Sequence, residues 1–182
     1  MKSVFRIVAI CTVAVFTVSV TAGAQKKGDK AVGGNLVLGS GDNFTNHGIG
    51  AKFQYNVTTP LRLEGSFTYF LPKKQGVSGL AEATINMWDL SVNGHWLFPL
   101  SNNVKVYPLA GASLLGTSAS AKVTVGDKGG SSKSSASEFG FNFGGGLDFK
   151  LTDNFVLNGE LKYRLGSNWD RFLLSVGVAY RF

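Results

Sequence analysis

From Arg171 to Phe182 every second residue is apolar: Phe172, Leu174, Val176, Val178, Tyr180 and Phe182. The residues between them, Arg171, Leu173, Ser175, Gly177, Ala179 and Arg181, are small or charged apart from Leu173. Side chains alternate faces along a strand, so this pattern makes a strand with one greasy face and one mostly polar face. The same period of two recurs upstream. It runs through Val32–Gly39, where it is faintest, then Gly48–Val57, Leu61–Leu71, Trp88–Phe98, the stretch from Val104 to Leu114, Phe139–Phe149 and Phe155–Leu165. In the second of these, Ile49, Ala51, Phe53, Tyr55 and Val57 oppose Gly50, Lys52, Gln54 and Asn56. Eight such segments predict an all-β chain. No apolar run after residue 24 reaches the roughly 20 residues of a membrane helix, so a chain of this kind crosses a bilayer only as a closed barrel.

The amino terminus has a different character. Lys2 and Arg6 lead into fourteen mostly apolar residues, Ile7 to Val20, and Ala22-Gly23-Ala24 offers small residues for cleavage. That is the layout of a secretory signal, with Gln25 as the first mature residue. The expected organisation is a signal peptide over 1–24 and one β-barrel domain over 25–182. The single cysteine, Cys11, leaves with the signal, so no disulfide is expected in the mature chain. Loss of Lys2 and Arg6 reduces 18 basic residues to 16 against 11 acids, a net charge of +5. No run of Lys and Arg accompanies that charge, and nucleic acid is not expected as a partner.

The connections alternate in length. Thr58-Thr59-Pro60, Ser101-Asn102-Asn103 and Thr152-Asp153-Asn154 are tight turns of turn-forming residues. The other four, about Ser40–His47, Pro72–Ile85, Thr117–Ser137 and Gly166–Asp170, are mostly longer. Short periplasmic turns and longer outer loops, with an even strand number, are the arrangement of an outer-membrane barrel, which puts both mature termini in the periplasm. The tip of the longest loop, Gly126 to Ser135, is rich in Gly, Ser and Lys and reads as a mobile segment. Ala121 to Val125 still alternates, so the fifth strand is expected to project beyond the membrane as a ribbon.

Alternation alone does not say which face lies inside, and a soluble lipocalin-like barrel would hide the apolar one. Three features turn it outward. The polar faces carry charges of both signs that meet inside a narrow barrel: Lys52, Arg62, Glu64, Asp89, Lys105, Asp148, Lys150, Glu160, Lys162, Arg164 and Arg181. Trp88 and Trp96 stand eight residues apart, with Phe98 beyond, a span of roughly 20–25 Å on a tilted strand. The apolar band of an outer-membrane barrel is about 25 Å tall and edged by aromatic girdles. Tyr55, Phe149, Phe155, Tyr180 and Phe182 fall at the short-turn end, while Tyr69, Tyr163, Phe139 and Phe172 fall at the other. With a tight turn at Thr152–Asn154, Glu160 faces Gly146, Lys162 faces Gly144 and Arg164 faces Asn142. The glycines then leave space for long charged side chains, and the expected lumen is plugged rather than open.

The eight strands, the alternating turn lengths and the closing Tyr180-Arg181-Phe182 resemble the small OmpA/OmpX-like outer-membrane barrels. Val106-Tyr107-Pro108-Leu109-Ala110-Gly111-Ala112 resembles the outer membrane protein β-barrel domain group often labelled porin family. The resemblance implies an eight-stranded antiparallel up-and-down transmembrane barrel in the Gram-negative outer membrane. It also implies contact with outer-membrane lipid and lipopolysaccharide, and handling by the barrel-assembly machinery through the carboxyl-terminal strand. It says little about role, since such barrels include adhesins, anchors and weak pores. No peptidoglycan-binding segment follows Phe182 in this sequence, and anchoring by that route is not expected.

Reactive constellations are sparse. His95 is expected to face inward near the short-turn end, opposite Tyr107, as an interior histidine. His47 lies at a loop edge with Asn46, Asp42 and Ser40 nearby, a grouping too common to specify lipid chemistry. There is no Cys/His ligand spacing and no calcium-type carboxylate loop, so no metal and no cofactor is expected. Gly144-Gly145-Gly146 lacks the Gly-Lys-Ser/Thr of a phosphate loop. The outer loops carry Lys73, Lys74, Lys122, Lys128, Lys133 and Arg171 against Asp42, Glu82, Asp127, Glu138 and Asp170, a nearly balanced surface open to an unknown ligand, with Trp169 at the outer interface. The reading is a non-enzymatic barrel, structural or surface-interacting. The alternatives are a narrow pore or gated channel, an outer-membrane lipid-modifying enzyme, and a soluble binder.

Overall fold

Alternating sequence becomes strand along the whole barrel because each residue pair puts one side chain in and one out. The computed structural model describes residues 27–41, 44–77, 81–125, 128–167 and 170–182. The expected signal, with Ala22, Ala24 and Gln25 at its cleavage site, lies outside the described residues, as do Asp42, Asp127 and Trp169. Eight strands form the barrel: β1 (Lys30–Gly41), β2 (Phe44–Asn56), β3 (Leu61–Val77), β4 (Ala81–Trp96), β5 (Val104–Val125), β6 (Lys128–Lys150), β7 (Phe155–Gly166) and β8 (Arg171–Arg181). A two-residue piece, Phe98–Pro99, continues β4 along β5 after a break at Leu97, whose side chain turns inward. Each strand pairs antiparallel with the next, and β1 closes onto β8 from Ala31↔Arg181 to Ser40↔Phe172. Closure is finished by Phe182, whose N–H donates to the Lys30 carbonyl at 3.0 Å.

Exposure fixes the direction of the two faces. Leu36 is 68% exposed and Ile49 57%, whereas Arg62 is 1% and Arg164 0% exposed. A greasy outside around a charged inside is stable only where lipid replaces water.

The three short turns share one device. Thr58, Ser101 and Thr152 each accept, on the side-chain oxygen, the N–H of the residue three further on, at 3.2, 3.1 and 3.0 Å. A hydroxyl thus replaces a backbone partner and sets the register of the strand that follows. From the third turn come Gly146↔Glu160, Gly144↔Lys162 and Asn142↔Arg164, the pairs expected from its length.

The long connections differ from expectation. Within Thr117–Ser137 the described residues, up to Val125 and from Lys128, are strand, with β5 and β6 paired out to Val125↔Lys128. The segment Gly126–Ser135, expected to be a mobile tip, is strand from Lys128 onward. Pro72–Ile85 is also mostly strand: β3 runs to Val77, β4 starts at Ala81, and a register shift between Phe70 and Lys73 accommodates Pro72, which has no N–H to donate. Likewise β1 and β2 stay paired out to Gly41↔Phe44. Meanwhile β2 and β3 part beyond Gly48↔Phe70, and β6 and β7 part beyond Gly140↔Gly166. Strands β3 to β6 therefore rise from this hairpin end of the barrel as a four-stranded sheet with two edges that no described strand covers.

Two glycines test this geometry. A Cβ on Gly144 would overlap the Leu161 carbonyl oxygen of the neighbouring strand, whereas a Cβ on Gly65, on the lipid side, meets nothing within 4 Å. Gly144→Val is expected to cost about 3 kcal/mol or to prevent folding. Gly65→Ala is expected to gain about 0.5–1 kcal/mol through lower strand entropy cost. Urea midpoints of the two variants in detergent, read by heat-modifiable gel mobility, check both.

Candidate functional site

The barrel interior is polar, with two buried apolar clusters in it. At the turn end, beside the termini, Leu97, Tyr107 and Leu109 pack together. At the hairpin end Val37, Phe70, Met87, Leu115 and Leu173 pack together, with Ile85 against them. Around these clusters lies a belt of ion pairs that reach across the lumen rather than along one ladder.

Arg62 on β3 is the main hub. Its NH1 donates to Asp148 Oδ2 on β6 at 2.6 Å, and Nε and NH2 stand 3.2 and 3.0 Å from His95 Nδ1. Its Cζ lies 4.7 Å from the Tyr107 ring centroid, and that ring stacks on His95 at 4.6 Å and 8°. Gly146 admits Tyr107: a Cβ there would lie 2.6 Å from the phenol oxygen. Tyr107 in turn donates to Glu160 Oε2 at 3.2 Å, and Lys162 approaches Glu160 Oε1 at 3.3 Å. A second strut runs from β2 to β7, where Lys52 Nζ donates to Asn158 Oδ1 at 2.7 Å while standing 3.6 Å from Glu64. Gln54 donates to the same Glu64 at 2.8 Å. Near the hairpin end Arg164 on β7 meets Ser113 at 2.9 Å, Glu138 at 3.5 Å and Asp89 at 3.8 Å, so one guanidinium gathers three other strands. Ser91 donates to Asp89 at 2.5 Å, and Asn142 reaches Asn93 at 3.0 Å.

The remaining charges singled out in the sequence sit at the turn-end rim. Lys105 and Arg181 are half-buried there. Lys150 does not enter the belt: its Nζ pairs with Asp153 of the adjacent turn at 2.6 Å, and that ammonium holds the Asp153 carboxyl below the usual range. Arg171, assigned from sequence to a solvated outer loop, is instead 5% exposed, facing inward with its Cζ 5.6 Å from the Phe70 ring. Strand parity explains the correction, since Arg171 shares its face with Leu173 and Ser175.

Aromatic side chains ring both ends. Phe155 and Tyr180 pack at 5.2 Å and Tyr180 and Phe182 at 6.4 Å at the turn end, where Tyr55, Trp96, Phe98 and Phe149 also lie. At the hairpin end Tyr163 packs on Phe172 at 4.6 Å, and Trp88 on Phe67 at 6.2 Å with Tyr69 opposite Trp88.

One grouping was invisible in the sequence. Glu64, His95 and Glu160, from three strands, bring possible ligand atoms within 4.8 Å of one another. The surroundings do not suit a cation. Arg62 donates to His95 Nδ1, which leaves the ring proton on Nε2 and no lone pair there for a metal. Lys52 and Lys162 already neutralise the two carboxylates. His95 Nε2 stands 4.0 Å from Glu160, beyond hydrogen-bond distance. His47 is exposed on the outer face of β2 and Asn46 is buried on the inner one, so these neighbours do not converge.

Because Arg62 and Asp148 are enclosed, removing one partner leaves a buried charge. Arg62→Met is expected to destabilise the barrel by about 3–5 kcal/mol, and adding Asp148→Leu is expected to restore most of that loss. Equilibrium unfolding in detergent of the single and double variants checks the coupling.

The barrel superposes on the crystal structure of Ail, the attachment invasion locus protein of Yersinia pestis, with a TM-score of 0.59 and 20% identity over 86% of this chain and 99% of that one. A major outer membrane protein from Thermus thermophilus matches with a TM-score of 0.62 and 15% identity, covering 85% and 98%. OprG of Pseudomonas aeruginosa matches at 0.55 and 16%, covering 87% and 97%. At such identities the likeness is one of fold. No curated protein sequence matches the chain. The model of the outer membrane protein β-barrel domain matches residues 8–182, so this chain belongs to that family and is an integral outer-membrane barrel.

Proposed function

We propose that this chain is a non-enzymatic, non-conducting outer-membrane barrel that acts at the cell surface through the sheet formed by the extensions of β3 to β6. The observation that carries this reading is the division of labour along the axis. Within the barrel, side chains such as Arg62, Arg164 and Tyr107 are enclosed and held by partners on several strands. An eight-stranded barrel is just wide enough for side chains to fill it, and two buried apolar clusters share the lumen with the belt, which opposes passage of hydrated solutes. Beyond the barrel, the sheet offers water-facing surface and uncovered edges to a partner.

In this reading the tight turns and both mature termini are periplasmic, and the hairpin end faces outward among lipopolysaccharide. The aromatic rings anchor the two lipid interfaces, and β8, with its terminal Phe182, is the strand presented to the barrel-assembly machinery. Ail is named for attachment and invasion, a surface role of the kind proposed here.

Three measurements test the proposal. Purified protein in planar bilayers is expected to give no large conductance steps, and regular steps would favour a pore. A cysteine placed at Ser134 is expected to react with a membrane-impermeant maleimide on intact cells, while one at Asn102 reacts only after the outer membrane is opened. Replacing Ser118–Ser135 by an Asn-Gly turn is expected to preserve heat-modifiable migration and to abolish adherence of expressing cells to host-cell monolayers. Unchanged adherence would remove the surface role from the ribbon.

A further inference from the structure

We propose that the edge of β6 left uncovered beyond Gly140 takes an extended segment of another protein as an added strand, antiparallel to β6, with an aromatic residue opposite Phe139 and an acidic one opposite Lys133. The inference rests on the reading that the sheet of β3 to β6 acts on partners, and it names the edge that does so and what that edge selects. The two edges are not alike. On β3 the pairing with β4 slips between Phe70 and Lys73, Pro72 has no N–H to offer, and Lys73 and Lys74 follow. A register shift, a proline and lysines are the means by which a sheet closes an edge to further strands. On β6 the register with β5 is unbroken from Val104↔Phe149 to Val125↔Lys128, and Ser132–Phe139 contains no proline and a single lysine. Ser132 to Ser137 are all exposed. Room beside them exists because β7 leaves β6 after Gly140↔Gly166, where the Gly166 N–H donates to Asp170 at 3.0 Å. An added strand continues the line that β7 abandons.

Main-chain hydrogen bonds give strand addition its affinity, and side chains standing opposite each other give it selectivity. Lys133, Ser135, Ser137 and Phe139 share the outer face of β6, the face that carries Phe141 and Phe143 nearer the membrane. Phe139 is 56% exposed and meets Phe141 edge-on at 5.3 Å, so it offers a ring to an aromatic neighbour at the lipid boundary. Lys133 lies six residues farther out, roughly 20 Å along the strand, exposed and engaged in no ion pair among the described residues. The serines between are short and leave room for larger side chains on the partner. Glu138 does not compete for Lys133, since its carboxylate is held by Arg164 at 3.5 Å. A second copy of this chain does not fit. Every copy in one membrane has β6 running inward, so two β6 edges meet parallel rather than antiparallel. The outward-running edge strand of a neighbouring copy is β3, which is closed at Pro72 and carries lysines where Lys133 calls for an acid.

The test uses the purified barrel in detergent micelles, with its backbone amides labelled for resonance measurements. The probe is the synthetic peptide Thr-Phe-Thr-Val-Thr-Val-Thr-Asp-Thr, whose phenylalanine and aspartate stand six residues apart, and a second peptide has lysine in place of the aspartate. Saturable shifts are expected at the amides of Ser132–Phe139 and not at those of Leu71–Val77, with the aspartate peptide binding at least about fivefold more tightly than the lysine peptide. Lys133→Glu changes an exposed side chain, is expected to migrate as a folded barrel, and is expected to reverse the order of the two peptides. Absence of shifts up to about 2 mM aspartate peptide, shifts on the β3 edge instead, or an unchanged order in Lys133→Glu overturns the proposal. Pairing of barrels through Ser132–Phe139 without any peptide would make a second copy the occupant and overturns it as well. Because binding is read on the isolated protein, a silent β6 edge in a chain whose ribbon is required for adherence rejects this inference and leaves the surface role standing.

Discussion

Closure of β1 onto β8 is the constraint from which the other features follow. In hydrocarbon an unpaired N–H or C=O costs several kcal/mol, so a spanning sheet has to join its two ends. Once joined, the period of two becomes a rule about solvent. The Val32, Leu36 and Leu38 face must meet lipid, and the Lys52, Arg62 and Glu64 face must meet whatever the narrow lumen holds. The outside then supplies little specificity, because one aliphatic side chain in lipid resembles another. Register is set by the ladders, by the hydroxyl-capped turns and by the charges that have to find each other inside.

Those charges are a liability offset by the number of partners each cation has. A buried ion pair roughly breaks even against a hydrophobic replacement, while a broken one is strongly unfavourable. The belt answers this by giving its cations several partners. Arg62 meets a carboxylate, an imidazole and a phenol ring; Arg164 meets a hydroxyl and two acids. Partners come from strands far apart in sequence, such as Lys52 with Asn158. The belt therefore penalises any slipped register, since a one-residue shift would turn every one of these groups into lipid. Specificity of pairing, more than net stability, is what such an interior contributes.

This logic explains which parts of the fold were legible in the sequence. Where one face meets lipid, alternation is compulsory and the strands could be read off residues such as Phe155, Leu157, Leu161 and Leu165. The pairs Glu160↔Gly146 and Arg164↔Asn142 were legible because a tight turn leaves one register. The ribbon was legible on one side only: Ala121 to Val125 still alternates and is paired strand, whereas the Gly- and Ser-rich return from Lys128 has no greasy face to enforce a pattern. Arg171 was misplaced for a related reason: a cation next to Asp170 looks like loop, and only its parity with Leu173 and Ser175 reveals the inward direction. The meeting of Glu64, His95 and Glu160 depends on barrel curvature and tilt, which no single strand records.

The unequal strand lengths also fix where the membrane stops. Beyond Phe70 on β3 and before Gly140 on β6 the outer edges lose their ladder partners. Those backbone groups can be hydrated but cannot sit in hydrocarbon, so the lipid boundary at the hairpin end lies no farther out than the last paired residues. The aromatic side chains give a second, independent marker. Tyr69 immediately precedes Phe70, Phe139 immediately precedes Gly140, and Tyr163 packs with Phe172 between the ends of β7 and β8. Main-chain pairing and interfacial rings thus run out at one level on both flanks of the sheet. A ribbon that began lower would expose bare edges to lipid, and one that began higher would leave the rings below the interface they favour. The coincidence of the two lines is what makes the extensions of β3 to β6 an outward-standing sheet rather than a deformed piece of the wall.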